Sequence, residues 1–162
     1  MVLSILVENT SGVLTRVAGL FARRGYNIDS LTVAATENAE FSRMTVVATG
    51  DEQILAQIKK QVAKLEDVID IRELTGDMAV CRELVMIKVK ANAKERQAVL
   101  STAEVFRAKV VDLSPDSMMI ELTGSQNKID AFLKLFDQSR IVEMVRTGVT
   151  GLPRGSYLEE MF

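Results

Sequence analysis

Apolar residues recur along this chain with two alternating periods. Val2 to Val7 is a short, β-branched run that reads as a strand. Val13, Leu14, Val17, Ala18, Leu20 and Phe21 then share one face at helical spacing. Arg23 and Arg24 are expected in the last turn, where cations suit the helix dipole, and Gly25 supplies a left-handed stop. Asn27 to Thr36 alternates as a strand, with Leu31, Val33 and Ala35 on one face. Glu37 to Glu40 forms a polar hairpin tip, and Met44, Val46 and Ala48 alternate in the returning strand. Asp51 is a good N-cap for a helix carrying Ile54, Leu55, Ile58, Val62 and Leu65, and Val68 to Leu74 closes the unit as a strand.

Thr75-Gly76-Asp77 is short and polar and reads as a linker. After it the same order begins again. Leu84 to Val89 is a strand, and Val99, Leu100, Ala103 and Phe106 mark a helix. Lys109 to Leu113 and Met118 to Thr123 are strands joined through the turn residues Ser114-Pro115-Asp116-Ser117. Ser125 caps a helix bearing Ile129, Phe132, Leu133 and Phe136, and Ile141 to Val145 ends the sheet. Thr49-Gly50 and Thr123-Gly124 punctuate the two halves alike. The expectation is an α+β chain of two tandem ferredoxin-like βαββαβ domains, at 1–76 and 77–162, that duplicates a fold rather than a sequence. Each domain has one sheet face covered by helices. The other face of the first sheet, rich in Thr, Ala and Ser, suits burial against a second domain or subunit. Glu8 and Arg43 are placed to pair across its strands.

Composition narrows the function. The chain has 162 residues and a net charge of −2, which argues against a general nucleic-acid binder. No Trp and only 5% aromatics leave few base-stacking platforms. There is no His, so the commonest general base and the commonest neutral metal ligand are both missing. No metal-ligand cluster, P-loop or nucleophile elbow stands in the sequence, so no catalytic or metal site is expected. No apolar run reaches membrane-span length and no signal peptide is visible. The single cysteine, Cys81, fits a reducing cytoplasm and reads as a half-buried small hydrophobe. Met118 and Met119 read as strand packing.

One element carries candidate chemistry. Asn9-Thr10-Ser11-Gly12 joins the first strand directly to the first helix, and such a turn aims backbone N–H groups at one point. The carboxylate of a free amino acid fits there, with Gly12 allowing close approach. Asn9 and Asn27 can offer amide oxygens to an ammonium and NH2 groups to a carboxylate. Ile28, Leu31, Val33 or Ala34 can line an apolar side-chain pocket. The same residues also suit a purely structural role: Asn9 and Ser11 as turn and cap, Gly12 as a helix-entry glycine, Asn27 at an awkward backbone angle, and Arg23-Arg24 as a solvated helix end.

Glu8-Asn9-Thr10-Ser11-Gly12-Val13-Leu14, the stretches Leu20 to Ile28, Ser30 to Val33 and Ser42 to Thr45, and then Arg82 to Val89, Glu104 to Arg107, Val111 to Leu113 and Arg146 to Val149 resemble the small regulatory subunit of acetolactate synthase. The N-terminal motif alone says ACT domain, a broad class of amino-acid sensors; the ordered downstream matches narrow it. The resemblance implies a homodimer with side-by-side ACT domains and a non-catalytic role. It implies a separate catalytic subunit holding thiamine diphosphate, Mg2+ and FAD, with no cofactor in this chain. It implies activation of that subunit and feedback inhibition in branched-chain amino-acid synthesis by valine, with leucine or isoleucine as alternatives. Asn9, Thr10, Ser11, Gly12, Val13, Leu14, Asn27, Ile28 and Ala34 are the effector-binding residues it selects. The competing reading is a stand-alone ACT-domain sensor acting on a different protein partner. An RNA-binding module shares the strand order but needs sheet aromatics that these strands lack. Cys81 is a departure without an assigned role. The tail Gly155 to Phe162 reads as a loosely held end.

Overall fold

The computed structural model describes residues 1–155. The elements follow the two periods read from the sequence. They are β1 Val2–Glu8, α1 Val13–Ala22, β2 Ser30–Ala35, β3 Phe41–Val47, α2 Glu52–Ala63 and β4 Val68–Glu73, then β5 Ala79–Lys90, α3 Arg96–Phe106, β6 Lys109–Leu113, β7 Ser117–Gly124, α4 Gln126–Leu133, β8 Ile141–Arg146 and β9 Thr150–Pro153. A short 3-10 turn, Gly76–Met78, stands where the linker was expected.

Two compact units result. The first holds Met1–Cys81 together with the described residues from Val149 on; the second is Arg82–Gly148. The division therefore falls at Cys81, inside β5, rather than at Gly76, and the chain comes back to the first unit at its end. The physical reason is β9. It pairs with β5 and seats Gly151 against Val80 and Cys81, where a Cβ would lie 2.8 Å from Cys81 Sγ and 2.9 Å from Val80 O. The expected tail from Ser156 on lies outside the described residues.

In the first unit the strands are ordered β2-β3-β1-β4 and all neighbours are antiparallel. Leu3, Ile5 and Val7 of β1 and Met44 and Val46 of β3 face the helices. They form the core with Val13, Val17 and Phe21 of α1 and Leu55, Ile58 and Val62 of α2. Asp51 caps α2 as expected, its carboxylate accepting from Gln53 N at 2.8 Å and Ile54 N at 3.2 Å. Gly25 is left-handed at φ +71°, but α1 ends at Ala22. Arg23 and Arg24 thus lie beyond the last turn, because the chain is already closing there through Gly25 N to Ala22 O and Tyr26 N to Phe21 O.

The open face carries Ser4, Leu6, Ser30, Thr32, Arg43, Thr45 and the ion-paired Asp70 and Arg72. Residues returning from Val149 engage this face: Val149 N donates to Ser30 Oγ at 3.1 Å, and Thr32 Oγ1 donates to Val149 O at 3.3 Å. Arg43 does not pair with Glu8. The register sets Glu8 opposite Phe41 and Arg43 opposite Leu6, and Arg43 Nη1 donates to Ser4 Oγ at 2.9 Å.

In the second unit the order β6-β7-β5-β8 repeats the first arrangement. Val85, Ile87, Val89, Met118, Ile120 and Leu122 face α3 and α4, with Phe132 packed edge-on between Phe106 and Phe136. Met118 is in this core, as its strand position requires. Ser125 caps α4 by accepting from Lys128 N at 3.3 Å. Glu83 is buried at 5% exposure and is held by Arg146 through two bonds of 2.7 and 2.9 Å, with Asp130 a further partner of Arg146 at 3.3 Å. Those hydrogen bonds to Glu83 raise the Arg146 pKa above its ordinary value, against the opposing effect of burial.

Candidate functional site

β1 delivers the chain to the turn. Glu8 N donates to Asp67 O and Asn9 N to Glu40 O, both at 2.8 Å, so the loop before β4 and the hairpin tip fix the turn from two sides. The Asn9 side chain donates to Ala39 O at 3.0 Å, and Thr10 N closes back on Glu8 O at 2.9 Å. Asn9 therefore serves the turn, and neither it nor Ser11 caps α1: the N-cap is Gly12, with no side-chain cap bond. Gly12 stands at φ +87°, a conformation that glycine adopts without a Cβ penalty.

An uncapped helix start leaves its first N–H groups without intrahelical partners and carries the positive end of the dipole. Those N–H groups belong to Gly12, Val13, Leu14 and Thr15. Val13's side chain points into the core, so Val13 can contribute only through its backbone. Leu14 is 44% exposed and offers an apolar surface beside the turn. Thr10, Ser11 and Gly12 are exposed.

Sequence reasoning missed Arg16. It lies one helical turn beyond Gly12, its Nη1 only 3.0 Å from where a Gly12 Cβ would stand, and its guanidinium is tied to Asp67 at 2.6 Å. The spacing of four residues from a helix-entry glycine was the available signal.

The remaining expected residues do not join the turn within one chain. Asp29 N donates to Val47 O, and Val47 pairs with Val2, so exposed Asn27 and half-buried Ile28 belong to the start of β1. Asn9 follows its end. Seven residues of strand separate the two ends, a span of about 20 Å at the usual strand rise. Ala34 is opposite Arg43 on the open face, whereas Leu31 and Val33 point to the helix side. Among the described residues no group of three or more His, Cys, Asp or Glu could hold a metal ion, and no helix is long and apolar enough to cross a membrane.

Two βαββαβ units, the first with a glycine-entered helix N-terminus after β1, define an ACT-domain protein. Residues 3–70 match the family model of the AHAS small subunit-like ACT domain, and residues 82–155 match that of the small subunit of acetolactate synthase. The chain is 48% identical to a probable acetolactate synthase small subunit of Methanothermobacter thermautotrophicus, over 96% of this chain and 93% of that one. It is 47% identical to the acetolactate synthase isozyme 3 small subunit of Salmonella typhimurium, over 95% of each. The crystal structure of the acetolactate synthase small subunit from Thermotoga maritima superposes with a TM-score of 0.85 at 37% identity, covering 94% of this chain and 96% of that one. The chain belongs to the acetolactate synthase small-subunit family.

Proposed function

We propose that this chain is the non-catalytic, feedback-sensing subunit of a cytoplasmic acetolactate synthase. It works as a homodimer on a separate catalytic subunit that holds thiamine diphosphate, Mg2+ and FAD. It binds a branched-chain amino acid, valine first, between two ACT domains, activates the catalytic subunit and imposes inhibition when the amino acid accumulates.

The observation that carries this reading is the split of the expected site between the two ends of β1. β2 is an edge strand. A second copy paired antiparallel along it, about a two-fold axis near Thr32 and Val33, sets its Ser30 beside this chain's Ala35. Its Asn27 and Ile28 are then carried to the end of the sheet where this chain's Asn9 to Leu14 stand. The carboxylate meets the N–H groups of the α1 start, and Asn27 of the second copy faces the ammonium. Two equal sites form per dimer. A ligand that contacts both copies favours the arrangement in which they meet, and its leverage is its differential affinity for that arrangement.

Gly12→Asp puts a carboxylate and a side chain where the ligand carboxylate belongs. In the complex with a catalytic subunit, it should abolish valine inhibition while activation is kept. Inhibition by valine at the wild-type concentration would contradict the assignment.

A further inference from the structure

A second pocket of about 310 Å3 opens on the sheet face opposite the helices, between the returning segment and the hairpin that leads to Ala39 and Glu40. Its floor is Thr32 and Thr45, its far wall is Gly151 and Leu152 of the returning segment, and Arg43 and Glu37 complete it. The volume is at the low end of pockets that hold small ligands.

Arg43 is the unusual member. It projects from β3, an inner strand of the sheet, and is half-buried. Its one hydrogen-bond partner among the described residues is the hydroxyl of Ser4, which is itself 0% exposed. Asp70, which the register sets on the far side of Leu6 from Arg43, is ion-paired with Arg72 at 2.7 Å. No carboxylate among the described residues reaches ion-pairing distance of Arg43. A half-buried guanidinium without a counter-charge favours an incoming carboxylate, which it can grip with two parallel N–H donors. Ser4 engages Nη1 and leaves Nε and Nη2 without a hydrogen-bond partner among the described residues. Glu37 supplies the opposite charge in the same lining, so the pocket presents one cation and one anion with hydroxyls and a leucine between them. That is the charge pattern of a zwitterion with a short apolar side chain.

We propose that this pocket binds a small free amino acid, its carboxylate on Arg43 and its ammonium toward Glu37, as a site separate from the α1 start. Its wall is made by residues 150–152, so occupancy stabilises the seating of the returning segment on the first unit.

The test is amide chemical-shift mapping of the 15N-labelled full chain titrated with L-valine. In the Gly12→Asp chain the amides of 150–152 should still move, and Arg43→Gln should weaken those shifts at least tenfold while amide dispersion shows the fold retained. Arg43→Lys should recover part of the binding, since it keeps the charge and loses the fork. Isobutyrate should bind more weakly than valine, and isobutylamine should leave the amides unmoved. Unmoved amides at 150–152 with valine, or shifts there that Arg43→Gln leaves intact, would overturn the proposal. Shifts confined to residues 10–14 and lost in Gly12→Asp would overturn it while upholding the site at the α1 start.

Discussion

Asn9 and Asn27 stand at opposite ends of β1, the first bound to the hairpin tip through Ala39 and Glu40, the second beside the start of the strand. Two residues that read together as one ligand site are about 20 Å apart along the strand in a single chain. This distance is why the proposed site takes one half from each of two chains. On that proposal a small effector reports on quaternary arrangement, because no single copy offers it both halves.

The ring of Tyr26 covers Gly50. A Cβ on Gly50 would lie 1.9 Å from Tyr26 Cε1, and the Tyr26 hydroxyl accepts from Asp51 N at 3.1 Å, at the start of α2. Gly50→Ala must push the ring off and break that bond. The expected cost is about 1–3 kcal/mol, the usual range for overpacking. Thermal unfolding of the variant should show a lowered midpoint; an unchanged midpoint would mean that the ring moves freely.

Gly151 lets the returning strand lie against β5. With Cys81 Sγ at 2.8 Å, Val80 O at 2.9 Å and Leu74 Cδ1 at 3.0 Å from an added Cβ, Gly151→Val has no room. Hydrogen exchange should then accelerate at the amides of Thr150 to Leu152 before it accelerates in β1 or β3. Protection equal to wild type would show that β9 contributes nothing to the first unit.

Arg146 ties Glu83 to α4 through Asp130. Removing Glu83 leaves a partly buried cation with Asp130 alone, so Glu83→Ala should destabilise the second unit by about 1.5–3 kcal/mol, the range for bonds to charged groups. A double variant, Glu83→Ala with Arg146→Leu, should lose less than the two single losses added together. The pH dependence has a definite sign. Because the folded-state pKa of Arg146 is raised, its contribution is complete below the ordinary arginine value and is lost only as pH rises through the raised one. Denaturant titrations between neutral pH and pH 10 should show no loss from this group.

The element order was legible because the apolar periods are clean: Leu3, Ile5 and Val7 alternate, and Leu55, Ile58 and Val62 keep to one helical face. Asp51 and Ser125 announced their helices by cap chemistry alone. The returning segment was not legible. Its Thr-Gly-Val-Thr-Gly-Leu stretch carries too few apolar positions to declare a strand, and its partner, the first residues of β5, falls between the linker Thr75-Gly76-Asp77 and the strand read from Leu84. Nor could periodicity assign Val33 and Ala34 to one pocket, since neighbouring strand residues face opposite sides. The turn is legible in Asn9 to Gly12, yet whether Asn9 caps α1 depends on the tertiary acceptor, Ala39 O, which lies 30 residues away.

The most direct test of the shared site is to mix two dead chains. Gly12→Asp spoils the α1 start, and Asn27→Asp spoils the partner half. Each variant alone should show no valine-dependent shifts at the amides of residues 10–14. Mixed and re-equilibrated, half of random dimers are heterodimers with one site whose two halves are both intact, so about a quarter of the wild-type sites should return. Recovery of that fraction is the predicted result. Mixed dimers that form but recover no binding would contradict a site built from two chains.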